Sequence, residues 1–166
     1  MNIDLLLHLY QFNANYSKML LKDIPAEAVC SQPHGLRNHV IWQIGHLART
    51  SDFLGTLYGQ PSTLPSGWDE LFRRGSVPLE DVSKYPSLDE LVGEYDRQHE
   101  KISTLIPEIG LEKFAEPIEE EFRRKLFPTL GDFTGFVMVG HEGLHLGQLS
   151  GWRKALGLGG VWQDPK

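Results

Sequence analysis

The chain has 166 residues, a length that fits one domain around a single core, and we expect that domain to span residues 1–166. Its formal net charge of −6 argues against a basic nucleic-acid-binding surface, and its one cysteine, Cys30, excludes an internal disulfide and a cysteine metal cluster. An acidic N-terminus and the lack of an apolar run of membrane-spanning length predict a cytoplasmic protein with no membrane partner.

Hydrophobic periodicity predicts two long helices in the first third of the chain. The first covers about residues 2–22, and Pro25 follows its end. The second covers about residues 38–59, where Asn38 is the expected N-cap and a Gly-Gln-Pro sequence ends the helix.

Two further long helices are predicted in the second half. One covers about residues 87–106 and begins with a capping box formed by Ser87 and Glu90. The other covers about residues 130–156 and ends at Gly157. Four long helices in one domain predict an all-α four-helix bundle.

The two long connections contain no convincing strand. Residues 60–86 are rich in proline and glycine, and a connection of this length is usually functional or partly ordered. Residues 107–128 are interrupted by prolines, and segment 119–126 is where a strand is least well excluded. Within it, glutamates at 119–121 precede basic residues at 123–125, which we interpret as a solvated charged connector.

The most informative segment is His-Glu-Gly-Leu-His at residues 141–145. On a helix His141 and His145 lie on the same face, about 6 Å apart, so both rings can reach one divalent ion. The segment also matches H-E-x-x-H, in which the glutamate, here Glu142, is the general base of a zinc protease. The sequence after His145 lacks the usual third ligand of such proteases, so the protease is the weaker interpretation.

A metal site in a bundle takes its further ligand from a facing helix, and His46 is the best candidate. It lies in mid-helix among apolar residues, where an unpaired imidazole is costly to bury. The alternative is a hydrogen-bonded core histidine. Three imidazoles with an open coordination position suit Zn, Ni, Fe or Cu in a catalytic site.

The other histidines are weaker candidates. His39 precedes His46 by two helical turns, so we expect it to line a pocket without sharing the ion. His8 is interpreted as a core or capping residue, and His34 and His99 as solvated residues.

Glu142 and Gln148 are the tentative catalytic residues. Either side chain would orient the group that enters the open coordination position, and Gln148 would hydrogen-bond a ligand histidine or a bound water. For Gln148 the alternative, to which we give equal weight, is that it is simply a polar residue near the end of the bundle with no catalytic role. Trp152, one turn further on, is interpreted as a core residue.

Two motifs lie in the second and fourth predicted helices: Gly-His-Leu-Ala at residues 45–48 and His-x3-His-Leu-Gly-Gln at residues 141–148. Together they resemble the DinB-like superfamily, which includes bacillithiol transferases and mycothiol-dependent maleylpyruvate isomerases. The resemblance implies an up-down-down-up bundle and a divalent metal, Zn, Ni or Fe, held by His46, His141 and His145. It also implies that homodimers are common.

Members of this family with known chemistry transfer low-molecular-weight thiols. We therefore predict a metal-dependent transferase or hydrolase that activates a thiol or water for attack on a small-molecule electrophile. A non-catalytic metal-binding protein, related to stress or to protein interactions, is the alternative from another class. The third hypothesis is a metal-free bundle whose histidines only pack in its core. Residues 60–86 match no known pattern, so the substrate stays open.

Overall fold

The computed structural model describes residues 2–162, and these form helices without a strand. The one β pairing in this range is an isolated bridge between Pro117 and Thr129. In chain order the helices are α1 (Ile3–Leu21), α2 (Val40–Leu57), α3 (Trp68–Phe72), α4 (Leu88–Leu105), α5 (Leu111–Phe114), α6 (Glu121–Leu126), α7 (Leu130–Gly135) and α8 (Glu142–Ala155). Short 3-10 turns lie at Ala26–Ala28, Pro33–Gly35, Val82–Lys84 and Ile106–Glu108.

The four predicted long helices are all present, as α1, α2, α4 and the stretch from α7 to α8. The capping box at the start of α4 is confirmed, because Ser87 and Glu90 satisfy each other's backbone N–H groups. The expected N-cap of α2 is wrong by one residue. His39 caps this helix through Nδ1, which accepts from the backbone N–H of Trp42 at 3.3 Å. The Asn38 side chain instead donates to Gln148.

A π-helical segment, Phe136–His141, interrupts the fourth long helix, which the sequence predicts as continuous. A π-helical turn changes the usual backbone pairing, so some carbonyl groups need other donors. Buried Asn13 of α1 donates its side-chain amide to the carbonyls of Met138 at 3.2 Å and Val139 at 3.4 Å. The segment is therefore supported by α1, and its last residue is His141.

Within the described range, the core of the bundle consists of two apolar clusters. One contains Ile41, Leu91 and Trp152, which confirms Trp152 as a core residue. The other contains Leu54 and Ile102. Along each long helix, buried polar residues separate the two clusters: Asn13 and Ser17 on α1, Thr50, Ser51 and Asp52 on α2, Gln98 and His99 on α4, and Glu142 and His145 at the start of α8. Candidate functional residues therefore lie in the middle of the bundle.

None of the helices in residues 2–162 combines the length and the apolar character that a bilayer span requires.

Candidate metal centre

The structure brings together the three predicted ligands His46, His141 and His145, here called the histidine triad. One ring nitrogen of each lies within 4.8 Å of the others. Nε2 of His46 and Nε2 of His141 are 3.2 Å apart. Two nitrogens bound to one tetrahedral zinc ion at about 2.05 Å would be about 3.3 Å apart, so this spacing fits a shared ion.

The loop between α2 and α4 fixes the orientation of the His46 ring. Nδ1 of His46 donates to the backbone carbonyl of Phe72 at 2.6 Å, which leaves the Nε2 lone pair directed towards His141. The Trp42 ring stacks on His46, with ring centroids 4.7 Å apart and planes 9° apart. Trp42 is held in turn by Ser76, whose hydroxyl accepts from Nε1 at 2.8 Å. Residues 60–86 therefore contribute two of the groups that position this ligand, the Phe72 carbonyl and the Ser76 hydroxyl.

The rings of the triad are uncharged at neutral pH. Burial, together with repulsion from the neighbouring histidines, lowers the pKa of His141 to about 4 and that of His145 to about 3. Burial also lowers the pKa of His46, although the Phe72 carbonyl opposes this effect. Neutral imidazoles are the form that binds metal ions.

Two nitrogens of the triad are costly for a purely structural histidine cluster. Nδ1 of His141 and Nδ1 of His145 are buried and have no hydrogen-bond partner among the described residues. Unpaired buried polar atoms cost free energy, so such rings call for another role, and one such role is to hold an ion through the other ring nitrogen. The donor set, its spacing and its protonation state all fit a divalent transition metal.

Gly45, directly before His46, allows α3 to pack closely against α2. A Cβ atom at this position would overlap the ring of Phe72. Because the carbonyl of Phe72 accepts from His46, the close approach of these two helices also sets the position of the ligand. This packing gives a physical reason for glycine in the Gly-His-Leu-Ala motif.

We expect Gly45→Ala to lower the free energy of unfolding by about 1–3 kcal/mol, because the added methyl group displaces Phe72. The matched control is Gly93→Ala on α4, an exposed position where a Cβ meets nothing within 4 Å. That variant should be neutral or stabilising by up to about 1 kcal/mol, since alanine favours helix. Urea denaturation of the metal-free proteins measures both values. Equal effects of the two substitutions would contradict the close packing.

Glu142 lies in a buried hydrogen-bonded group of residues, here called the carboxylate network. The residue is 2% exposed, and its Oε1 accepts from the Tyr95 hydroxyl and from Nε2 of His99, the latter at 2.8 Å. The His99 ring stacks on Tyr10 with centroids 3.5 Å apart. No hydrogen bond found in residues 2–162 connects the Glu142 side chain to the triad, so its catalytic role stays a prediction.

The structure corrects three of the sequence interpretations of histidines. His99 is 5% exposed rather than solvated, because Glu142 and Tyr10 provide partners inside the bundle. His8 is exposed rather than a core or capping residue. His39 is fully buried and donates Nε2–H to the carbonyl of Leu79 at 3.0 Å, and it does not line the cavity beside the triad.

Gln148 and His34 lie on the surface. Gln148 is exposed, and its side-chain oxygen accepts from Asn38 at 3.1 Å, so its observed contact is with the start of α2 rather than with the triad. Its catalytic role also stays a prediction. His34 is exposed, as the sequence indicates.

A cavity of about 420 Å³ opens beside the triad, and all three histidines line it. Three arginines, Arg49, Arg74 and Arg123, also line it. Arg123 was expected in a solvated connector, but its guanidinium packs over Phe53 at 4.6 Å and Phe133 at 5.8 Å. Phe122 and Leu126, which flank the basic run, are apolar residues and could have indicated that this segment lines a cavity.

A family model described as the DinB superfamily matches residues 9–149, a range that includes the whole triad and most of the bundle. No curated protein shows a significant match to the chain.

Proposed function

Since the chain belongs to the DinB superfamily, we propose that it is a metal-dependent enzyme that activates a low-molecular-weight thiol or a water molecule for transfer to a small electrophile. The observation that carries this proposal is the position of three neutral imidazoles on the wall of a cavity large enough for a small molecule. The metal would be Zn, Ni or Fe, each of which imidazole ligands suit.

The histidine triad would hold the ion, with the Phe72 carbonyl and the Trp42 ring fixing His46. When bound, the ion would lower the pKa of a thiol or water at its open position and so supply a nucleophile at neutral pH. The aromatic side chains that line the cavity would limit the access of bulk water to this nucleophile. The electrophile would approach from the cavity, which is the open side of the triad.

Untagged protein loaded in turn with Zn²⁺, Ni²⁺ or Fe²⁺ tests this proposal. The rate of conjugation of monochlorobimane is measured with a panel of thiols that includes bacillithiol, mycothiol, glutathione and cysteine. We expect one thiol to react faster with the metal-loaded protein than with the chelated protein or with His145→Ala. His8→Ala is the control, because it removes an exposed helical imidazole.

A loaded protein that accelerates no thiol reaction would contradict the proposal, provided that hydrolysis of small activated esters is also unchanged. Optical titration of the cobalt-substituted protein with each thiol then identifies the alternative. A spectrum that no thiol perturbs would indicate a metal-binding protein without turnover.

We also propose that the protein forms a homodimer through the outer face of α1. Leu5, Leu9, Phe12, Tyr16 and Met19 are spaced alternately by four and three residues, the pattern of a seam between two helices, and all but the half-buried Tyr16 are exposed. The ring of Trp162 stacks on Phe12 and Tyr16, and the apolar surface that the stripe still exposes favours pairing with the same stripe of a second copy.

Light scattering after size exclusion checks the oligomeric state. We expect a dimer for the wild type and for the control Gln11→Glu, and a monomer for Phe12→Glu, because a buried unpaired charge opposes association. A monomeric wild-type protein at high concentration would rule out this interface.

A further inference from the structure

The wall of the cavity beside the triad is positively charged, although the chain as a whole carries a formal net charge of −6. Arg49, Arg74 and Arg123 contribute to this wall, and no aspartate or glutamate of residues 2–162 lines it. Low-dielectric walls with charge of one sign attract small ions of the opposite sign. The cavity is therefore suited to an anion.

Two of these arginines already have carboxylate partners. Nε of Arg49 is 2.7 Å from Oδ1 of Asp69, and Arg123 forms an ion pair with Glu120. Arg74 makes no ion pair within residues 2–162. Its guanidinium lies 5.4 Å from the ring centroid of Phe122, another residue of the cavity wall. Arg74 is thus the cation that is free to bind an incoming anion.

Much of the remaining wall is aromatic. It is formed by Trp42, Phe53, Phe122, Phe127, Phe133 and Phe136. Flat apolar groups pack well against such rings, in stacked or edge-on arrangements. A ligand that satisfies the whole wall therefore needs a flat apolar body as well as a negative charge.

We infer that this cavity binds a small aromatic carboxylate, with its carboxylate on Arg74 and its ring against the aromatic wall. The fork of an arginine matches the two oxygens of a carboxylate, and an ionised pair of this kind is stronger than a neutral hydrogen bond. This inference narrows the substrate class of the proposed enzyme to an electrophile that also carries an aromatic ring and a carboxylate, and it rests on that proposal for its catalytic meaning.

Calorimetric titration with 2-naphthoate and its neutral analogue 2-naphthamide tests the inference, first with the metal-free chain so that no ion can bind the carboxylate. At fixed ionic strength we expect 2-naphthoate to bind about tenfold more tightly than the amide. Arg74→Gln should abolish this preference while changing the affinity for the amide less than about twofold. The matched control Arg73→Gln removes an adjacent exposed charge that does not line this cavity, and it should retain the preference.

Equal affinities for the two probes, an absence of 2-naphthoate binding, or equal losses in Arg73→Gln and Arg74→Gln would each overturn the inference. Repeating the titrations with zinc-loaded protein separates it from the proposed function. A preference that depends on Arg74 in a protein that binds no metal would support the inference and contradict the metal-dependent enzyme. A protein that binds zinc and conjugates thiols but does not prefer 2-naphthoate to 2-naphthamide would support the metal-dependent enzyme and contradict the inference.

Discussion

Zinc should raise the melting temperature of the wild-type protein by about 5–10 °C more than that of His145→Ala. Loss of a group that merely supports a ligand weakens metal binding about 10–100-fold, so loss of a ligand should weaken it at least about a hundredfold. At a fixed excess of zinc, a hundredfold weaker binding removes about 2.7 kcal/mol of stabilisation. In a chain of this size each kcal/mol corresponds to about 2–4 °C.

The quantity to compare is the shift between the metal-free and zinc-loaded forms of the same variant, measured by differential scanning calorimetry. His145 is buried, so its substitution also changes the folding stability directly. Comparing the two forms of the same variant cancels this direct effect. His8→Ala should show the full wild-type shift, since His8 is an exposed residue of α1. The same shift in His145→Ala as in the wild type would show that zinc binds elsewhere.

Glu142→Ala is expected to lower the free energy of unfolding by about 2–6 kcal/mol. The substitution leaves the hydroxyl of Tyr95 and the ring N–H of His99 without their acceptor, and each unsatisfied buried donor costs about 1–3 kcal/mol. Tyr95 is 1% exposed and His99 is 5% exposed, so water replaces the lost acceptor poorly. Urea denaturation of the metal-free protein measures the change.

The control for this substitution is Glu100→Ala, an exposed glutamate of α4, which should change the free energy by less than about 0.5 kcal/mol. Glu142→Gln tests the catalytic alternative, because the amide keeps an acceptor oxygen but cannot act as a base. A large loss of turnover in Glu142→Gln with nearly unchanged stability would favour a general base. A cost below about 1 kcal/mol for Glu142→Ala would contradict the structural role of the carboxylate network.

The parts of the fold that the sequence predicts well are those that local patterns specify. Periodicity and the capping box define α4 within one residue at each end, and the four-residue spacing places His141 and His145 on one face. The prediction of His46 as the third ligand came from its apolar neighbours in a second helix. In each case the neighbouring residues along the chain contain the relevant physical information.

The supporting groups of the site depend on contacts between distant segments. The Phe72 carbonyl reaches His46 only because α3 packs on Gly45, and the irregular loop that contains α3 has no periodicity to reveal this. The charged residues next to His99 suggested a solvated face, but Glu142 from another helix buries it. Arg123 similarly lies in a charged run whose aromatic partners come from other parts of the chain.

X-ray absorption at the zinc edge of untagged protein carrying one zinc per chain tests the central claim most directly. We expect three imidazole nitrogens at about 2.0–2.1 Å, with the one remaining position held by a water oxygen or another exchangeable ligand. His46→Ala should then lose one imidazole from the shell. A wild-type shell with fewer than three imidazoles, or a protein that retains no stoichiometric zinc, would contradict a metal centre built from His46, His141 and His145.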